Sequence, residues 1–233
     1  MDTKTVYRIS KVGYCSRVLG AIRLGHDPSP LTREDEERLE YYTWCEDLAA
    51  RKLAKVGYDI DDGGICFKCK DKRHGIHVEI DSAIFAMVGH LDRVLTYNGL
   101  GLPVEIKSLG RFSYDRFERR GFDALPEYAG QEACYLEAWG TPGIYWIMNR
   151  DTGDTMGLVV NDTKNGINIA DFPHVTLPVT FHDVESKINS VEICVANGEL
   201  PLGDFKTGSD SCRWCDFSYL CSRKEEEPAE IDV

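Results

Sequence analysis

An α/β fold, with a mixed central sheet flanked by helices, is predicted for this chain from three observations. Helical and strand-like segments follow in the order helix, several strands, helix, hairpin, helix, which suits a layered α/β or α+β domain. The chain has 233 residues, 42% hydrophobic and 28% charged, the size and balance of a soluble domain with a sizeable core. Glycine, proline and Asx residues fall where the apolar period changes, and these residues punctuate elements.

The elements follow in order. The first thirty residues are mixed and end in the turn-rich run His26-Asp27-Pro28-Ser29-Pro30. Thr32 then reads as an N-cap, with Glu34, Asp35, Glu36 and Glu37 near the positive helix end. A helix is expected from there to about Val56, with Leu39, Tyr42, Leu48, Leu53 and Val56 as its apolar side and Gly57 as its stop. From Gly63 to Val94 short β-branched runs predict strands, and Pro103 to Lys107 predicts another. Ser108 to Leu125 reads as a polar loop rich in arginine and aromatics. Pro126 suits the first turn of a helix that ends at Gly140. Gly143–Asn149 and Thr155–Val160 read as a hairpin closed by Asp151-Thr152-Gly153-Asp154. Asp183 to Ala196 reads as a helix stopped by Asn197-Gly198. One domain is expected over residues 1–223, followed by an acidic flexible tail over 224–233.

Composition excludes some classes. The net charge of −12, from 39 acidic and 27 basic residues, disfavours a polybasic nucleic-acid binder. It leaves room for a site where carboxylates gather divalent cations. No run reaches the roughly 18 apolar residues of a membrane helix, and Met1-Asp2-Thr3-Lys4 lacks a signal-peptide core. A cytoplasmic protein without a membrane partner is expected. No helicase P-loop is present, so ATP is not expected.

A carboxylate–lysine pattern carries the chemistry. In a strand, Val104 and Ile106 share one face while Glu105 and Lys107 share the other. An acid and an amine side by side can hold a metal ion and a water around one phosphate. Asp92, thirteen residues before Glu105, offers a second acid on a separate strand, and Asn98-Gly99 can turn the chain between them. Glu46 on the first long helix is a third acid. The bland alternative is a surface pair on a strand face.

These residues resemble the PD-(D/E)xK nuclease superfamily. Glu46, one helix-length before Gly57, resembles its first motif. Gly89-His90-Leu91-Asp92 resembles its G-x-x-D strand, and Glu105-Ile106-Lys107 its E-x-K strand. The resemblance implies a restriction-endonuclease-like core in which Mg²⁺ or Mn²⁺ lies between Asp92, Glu105 and the carbonyl of Ile106, with Lys107 orienting a water. Many RecB-like members use a histidine on the first helix. Between Leu31 and Val56 there is none, so Glu46 would serve, and His90 is a further candidate ligand. Gln131 and Tyr135, one helical turn apart, resemble the Q-x-x-x-Y motif of the RecB-like branch, which implies that they lie at the site and touch DNA.

Nine cysteines are present, at 15, 45, 66, 69, 134, 194, 212, 215 and 221. In a cytoplasmic chain, clustered cysteines suit metal better than disulfides. Cys212, Cys215 and Cys221 form C-x₂-C-x₅-C, and Cys15 is the fourth candidate ligand. Four thiolates suit an iron–sulfur cluster or zinc. The one-plus-three layout resembles the [4Fe–4S] site of RecB-like nucleases of the AddB type and of CRISPR adaptation, where the cluster joins the two ends of the domain. Cys66 and Cys69 read as reduced structural thiols, and Cys45, Cys134 and Cys194 as core residues.

Arg111, Arg116, Arg119 and Arg120 alternate with Phe112, Tyr114, Phe117 and Phe122. Arginine neutralises phosphate and aromatics stack on unpaired bases, so a DNA channel is one reading and an amphipathic helix the other. The expected activity is a Mg²⁺- or Mn²⁺-dependent deoxyribonuclease, an exonuclease on single-stranded ends. The alternatives are a DNA-binding subunit of a recombination, DNA-processing or CRISPR-adaptation complex, and a zinc-stabilised interaction domain. DNA with free ends and other DNA-processing proteins are the expected partners; no motif reports an oligomeric state.

Overall fold

The computed structural model describes residues 4–64, 75–161, 167–169, 172–205, 212 and 215–221. Cys66, Cys69 and the tail from 224 lie outside the described residues. The chain divides into two compact units. One comprises residues 1–13 and 35–184, the other residues 14–34 and 185–233.

The first unit is mixed α/β with two sheets. Strand β1 (Thr5–Arg8) leads directly into helix α1 (Ile9–Val12). Helix α3 (Arg33–Leu53) follows α2 (Ser16–Arg23) of the second unit. Then come β2 (Asp59–Asp61), β3 (Ile76–Asp81), β4 (Phe85–Leu91), β5 (Arg93–Tyr97) and β6 (Leu100–Leu109). Helices α4 (Arg111–Arg120) and α5 (Pro126–Trp139) connect β6 to β7 (Gly143–Asn149). Strands β8 (Thr155–Val160) and β9 (His174–Val175) precede α6 (Phe181–Ala196). The smaller sheet has the order β1-β4-β3 and the larger β2-β5-β6-β7-β8-β9. Strands β6 and β7 pair in parallel across the helical crossover, with Glu105 opposite Tyr145 and Lys107 opposite Ile147.

Several expectations hold. Asn98 and Gly99 both take positive φ, 51° and 78°, and close the β5–β6 hairpin, as an Asn-Gly turn does. Pro126 opens α5 and Gly140 closes it at φ 75°. The β7–β8 hairpin forms with the predicted bounds.

Other expectations need correction. Residues 108–125 are not a loop: β6 runs on to Leu109, and α4 fills most of the remainder. The helix forms because Tyr114 and Phe117 fall three apart and both bury. Phe117 and Phe122 meet at 5.2 Å and pack on Tyr145 at 5.6 and 4.8 Å. Three of the four aromatics assigned to a DNA channel are therefore core. Asp92 lies not within a strand but at the break between β4 and β5. Helix α3 ends at Leu53 rather than near Val56; Leu39 on it and Val56 beyond it are exposed, and its buried face is Cys45, Ala49, Ala50 and Leu53. These small residues let the helix approach Val104, Ile106, Ile144, Trp146 and Met148 of the sheet closely. Cys45 and Cys134 are buried as expected, whereas Cys194 is only half-buried.

Glycine at 13 is demanded by space rather than by dihedral angle. Its φ of −73° suits any residue, but a Cβ there would overlap the Glu127 carbonyl at the start of α5. Gly13→Ala is expected to destabilise by about 3 kcal/mol, the scale of a forced overpacking. A melting temperature within 1 °C of the wild type, roughly 0.5 kcal/mol at this size, would contradict that packing.

The second unit packs α2 against the C-terminal segment. Val18, Ala21, Phe217 and Leu220 form its core, with Tyr14, Cys15, Leu200 and Cys215 at the edge. Arg17 is buried among them and donates to the carbonyls of Leu220 (2.9 Å) and Pro201 (3.2 Å). Ser29 N–H donates to the Asp216 carbonyl at 2.8 Å, and the Tyr219 hydroxyl to the Asp27 carbonyl at 2.8 Å. Arg17→Met would strand two buried carbonyls, a cost of about 2–3 kcal/mol. Limited proteolysis should then cut the 200–221 segment faster than in the wild type; equal rates would show that Arg17 is not a staple. Among the described residues, no helix is long and apolar enough to cross a membrane.

Candidate active site

The site lies at the C-terminal half of β6, where the first unit brings together side chains from α3, the β4–β5 break, β6 and α5. Glu105 is 3% exposed. Its Oε1 receives the Lys107 ammonium and, at 2.7 Å, the Gln131 amide. Its Oε2 is buried with no protein partner, an arrangement that leaves one carboxylate oxygen for something outside the chain. Asp92 Oδ2 accepts the Ile106 N–H at 2.7 Å. That bond ties the acid at the strand break to the backbone between Glu105 and Lys107. Glu46 extends from α3 and accepts the backbone N–H of Ser108.

Electrostatics show how closely these groups stand. Burial pushes Glu105 up to about 8, against the pull of Lys107, while Asp92 and Glu46 push it further. Burial likewise raises Asp92 and Glu46, each opposed first by Lys107. For Lys107 burial acts downward, but Glu105, Asp92 and Glu46 together outweigh it and hold the ammonium charged well above its ordinary range. Lys107 thus faces three acidic side chains, with Arg93 and Arg150 acting more weakly on Asp92 and Glu46, and further positive charge would favour their ionised forms.

Gln131 and Tyr135 share one face of α5, as their spacing predicts. The Gln131 amide also donates to the Tyr135 hydroxyl at 3.4 Å, and that hydroxyl donates to the His90 carbonyl at 2.8 Å. What His90 turns toward α5 is therefore its backbone oxygen. Its ring lies edge-on to His77 at 5.4 Å, across the β3–β4 pair. Sequence reasoning missed Glu132, which is buried one residue from Gln131 and raised well above a carboxylate's usual pKa by burial, then by Glu105. A lone glutamate inside a helix carries no signal of that burial.

The four arginines of α4 are largely occupied within their own segment. Arg116 donates to the Ala124 carbonyl, Arg119 to that of Asp115 and Arg120 to that of Asp123. Arg111 stands 3.9 Å from Asp115 with 74% of its side chain exposed. Phe112 is the one exposed aromatic of the helix, at 70%, with Arg116 over its ring at 5.6 Å.

In the second unit, Cys15, Cys212, Cys215 and Cys221 are thiols outside any disulfide. Burial raises Cys215, and the charges of Cys15, Cys221 and Cys212 add to it, so the four are neighbours. Cys15 Sγ accepts the Asp204 N–H at 3.2 Å, and Asp204 in turn receives the Ser16 N–H at 2.9 Å and the Lys187 ammonium at 3.1 Å. Among the described residues, no group of three or more His, Cys, Asp or Glu side chains is placed so that it could hold a metal ion.

No protein-family model and no curated protein matches the chain. Eight chains of solved structures do. One, titled "Crystal structure of SSO0001", is similar over 96% of this chain and 89% of its own, at a TM-score of 0.51 and 13% identity. At that identity the likeness speaks to the fold alone.

Proposed function

We propose that the protein is a metal-dependent deoxyribonuclease of the PD-(D/E)xK type, acting on single-stranded DNA ends. The observation that carries this reading is the convergence of Glu46, Asp92 and Glu105 on Lys107, with Glu105 Oε2 buried and unpaired. A surface ion pair would keep both partners wet. Here Glu105 is dry and Lys107 largely covered, two more acids stand close, and Glu105 is anchored to α5. Hard carboxylate oxygens suit Mg²⁺ or Mn²⁺, so Glu46, Asp92, Glu105 and the Ile106 carbonyl would hold the ion.

The ion, when bound, would make water more acidic and offset charge on the scissile phosphate. The chain's own groups do the rest. Gln131 and Lys107 fix Glu105 through Oε1 and leave Oε2 facing the ligand. The Ile106 N–H orients Asp92. The Lys107 ammonium aligns the attacking water by donating to it. The water oxygen bonds to phosphorus, the bond to the leaving oxygen breaks, and the water's protons pass to solvent and to that oxygen. Tyr135 and Gln131 brace the strand from α5.

We also propose that Cys15, Cys212, Cys215 and Cys221 hold a [4Fe–4S] cluster. The reading is supported by the one-plus-three spacing of four soft thiols and by an N–H aimed at one sulfur. The cluster would join the two sequence-distant halves of the second unit.

The test uses anaerobically purified protein with end-labelled single- and double-stranded DNA in Mn²⁺, Mg²⁺ or EDTA. Metal-dependent shortening of the single strand is the expected result. Tight binding of DNA without cleavage, in protein with its iron intact, would replace the enzyme by a DNA-binding subunit.

A further inference from the structure

Helix α3 leaves an aromatic surface open on the turn before Glu46. Tyr41 and Trp44 are 47% and 55% exposed. Their rings stack at 6.3 Å with an interplanar angle of 27°. Three residues apart on a helix, they share one face. Two large aromatics stacked on each other and turned to water are a poor use of apolar area unless something covers them.

The neighbourhood indicates what that is. The Arg150 guanidinium lies 3.6 Å over the ring of Tyr42. A Cβ at Gly110 would come within 3.3 Å of Arg150, so this cation sits at the end of β6, beside the start of α4. The next residue, Arg111, has 74% of its side chain exposed. The Ser108 hydroxyl, one residue past Lys107, donates to the Tyr42 carbonyl at 3.5 Å. The Tyr41 hydroxyl contacts Cys45 and feels the charges of Arg150 and Asp151. The aromatic pair, two cations and the carboxylate–lysine site therefore adjoin. Opposing charges also have a place: Glu34, Glu36, Glu37 and Glu40 line the first turns of α3, and Asp115 and Asp151 flank Arg111. Acids outnumber Arg33 and Arg38 at the helix start and disfavour phosphate there, whereas Arg150 and Arg111 offer it cations.

We propose that Tyr41 and Trp44 form a stacking platform for an unpaired base of single-stranded DNA, with Arg150 and Arg111 meeting the adjoining phosphates. The proposal rests on the nuclease reading and names its substrate: bases in a duplex are already stacked and cannot reach the platform, whereas an unpaired base presents its π-face regardless of sequence.

The experiment measures anisotropy of a labelled oligothymidylate, and of an abasic strand of equal length, in Ca²⁺ buffer with the full-length protein. Trp44→Ala should weaken oligothymidylate binding about tenfold, or about 1.4 kcal/mol, and leave the abasic strand unaffected. Trp44→Phe should recover most of the loss. In Mn²⁺, Trp44→Ala should raise KM on single strands and keep kcat within about twofold. Circular dichroism melting of each variant confirms that it is folded. Wild-type binding by the Tyr41→Ala/Trp44→Ala double variant would overturn the platform, as would equal losses on both strands. Either result would leave the nuclease reading intact if the wild type cleaves. A wild type that neither binds nor cuts either strand would overturn both.

Discussion

Replacing Lys107 by methionine is expected to reduce metal-dependent cleavage by roughly 10²–10³-fold, the scale set by loss of one oriented donor or proton-handling group. It should also destabilise the fold, because Glu105, Asp92 and Glu46 lose the cation that most strongly opposes their burial. Removing one partner of a buried ion pair costs about 3–5 kcal/mol. The two effects are separable. Glu105→Gln together with Lys107→Met removes both charges and keeps an amide able to meet Gln131. The double variant should recover much of the lost melting temperature but none of the activity. That pattern is a double-mutant cycle with strong coupling in stability. Full cleavage by folded Lys107→Met protein would sink the catalytic assignment. A double variant no more stable than the single one would sink the account of the charge balance.

The metal-free protein should lose stability as pH rises through neutrality and regain it with Mg²⁺ or Mn²⁺. Glu105 titrates near 8 in the fold and near 4.3 in the unfolded chain. Between these values the folded state holds a proton that the unfolded state has released, so unfolding becomes easier as pH increases. Below the unfolded value both states are protonated and the group contributes nothing against folding. With half of that proton released by pH 8, the loss from pH 6 to 8 amounts to about 2.3 kcal/mol, or about 5–9 °C in melting temperature for a chain of this size. A cation that binds the ionised site should offset the loss, most at pH 8. Glu105→Gln should flatten the slope and weaken the metal effect. Melting that is flat from pH 6 to 8 in EDTA, or unaffected by Mn²⁺ at pH 8, would contradict a dry carboxylate waiting for a cation.

Much of this site was legible before the fold. Alternation along a strand places Glu105 and Lys107 together, and helical spacing places Gln131 beside Tyr135; both are local geometry that a few residues determine. Pairing of β5 with β6 was legible too, because Asn98-Gly99 accepts the positive φ values the turn requires. The segment from Ser108 to Leu125 was not. Its arginines and aromatics fit a solvent-facing channel as well as they fit a helix, and only Tyr145, opposite Glu105 on β7, decides that Phe117 and Phe122 bury. Exposure is likewise non-local. Trp44 is exposed and Trp146 is buried although both read as large apolar residues.

By itself, then, the sequence determined which side chains are neighbours within one strand or one turn, where the chain must reverse, and that four thiols occur in a one-plus-three spacing. Tertiary structure alone decided that Asp92 reaches the Ile106 N–H from a strand break, that Glu46 stands before Lys107, and that Glu105 is dry enough to hold its proton near neutral pH. The physical reason is the range of the forces involved. Backbone periodicity acts over a few residues, whereas desolvation and charge pairing depend on every element that closes over a group, and those elements come from positions 46, 92, 105 and 131 of one chain.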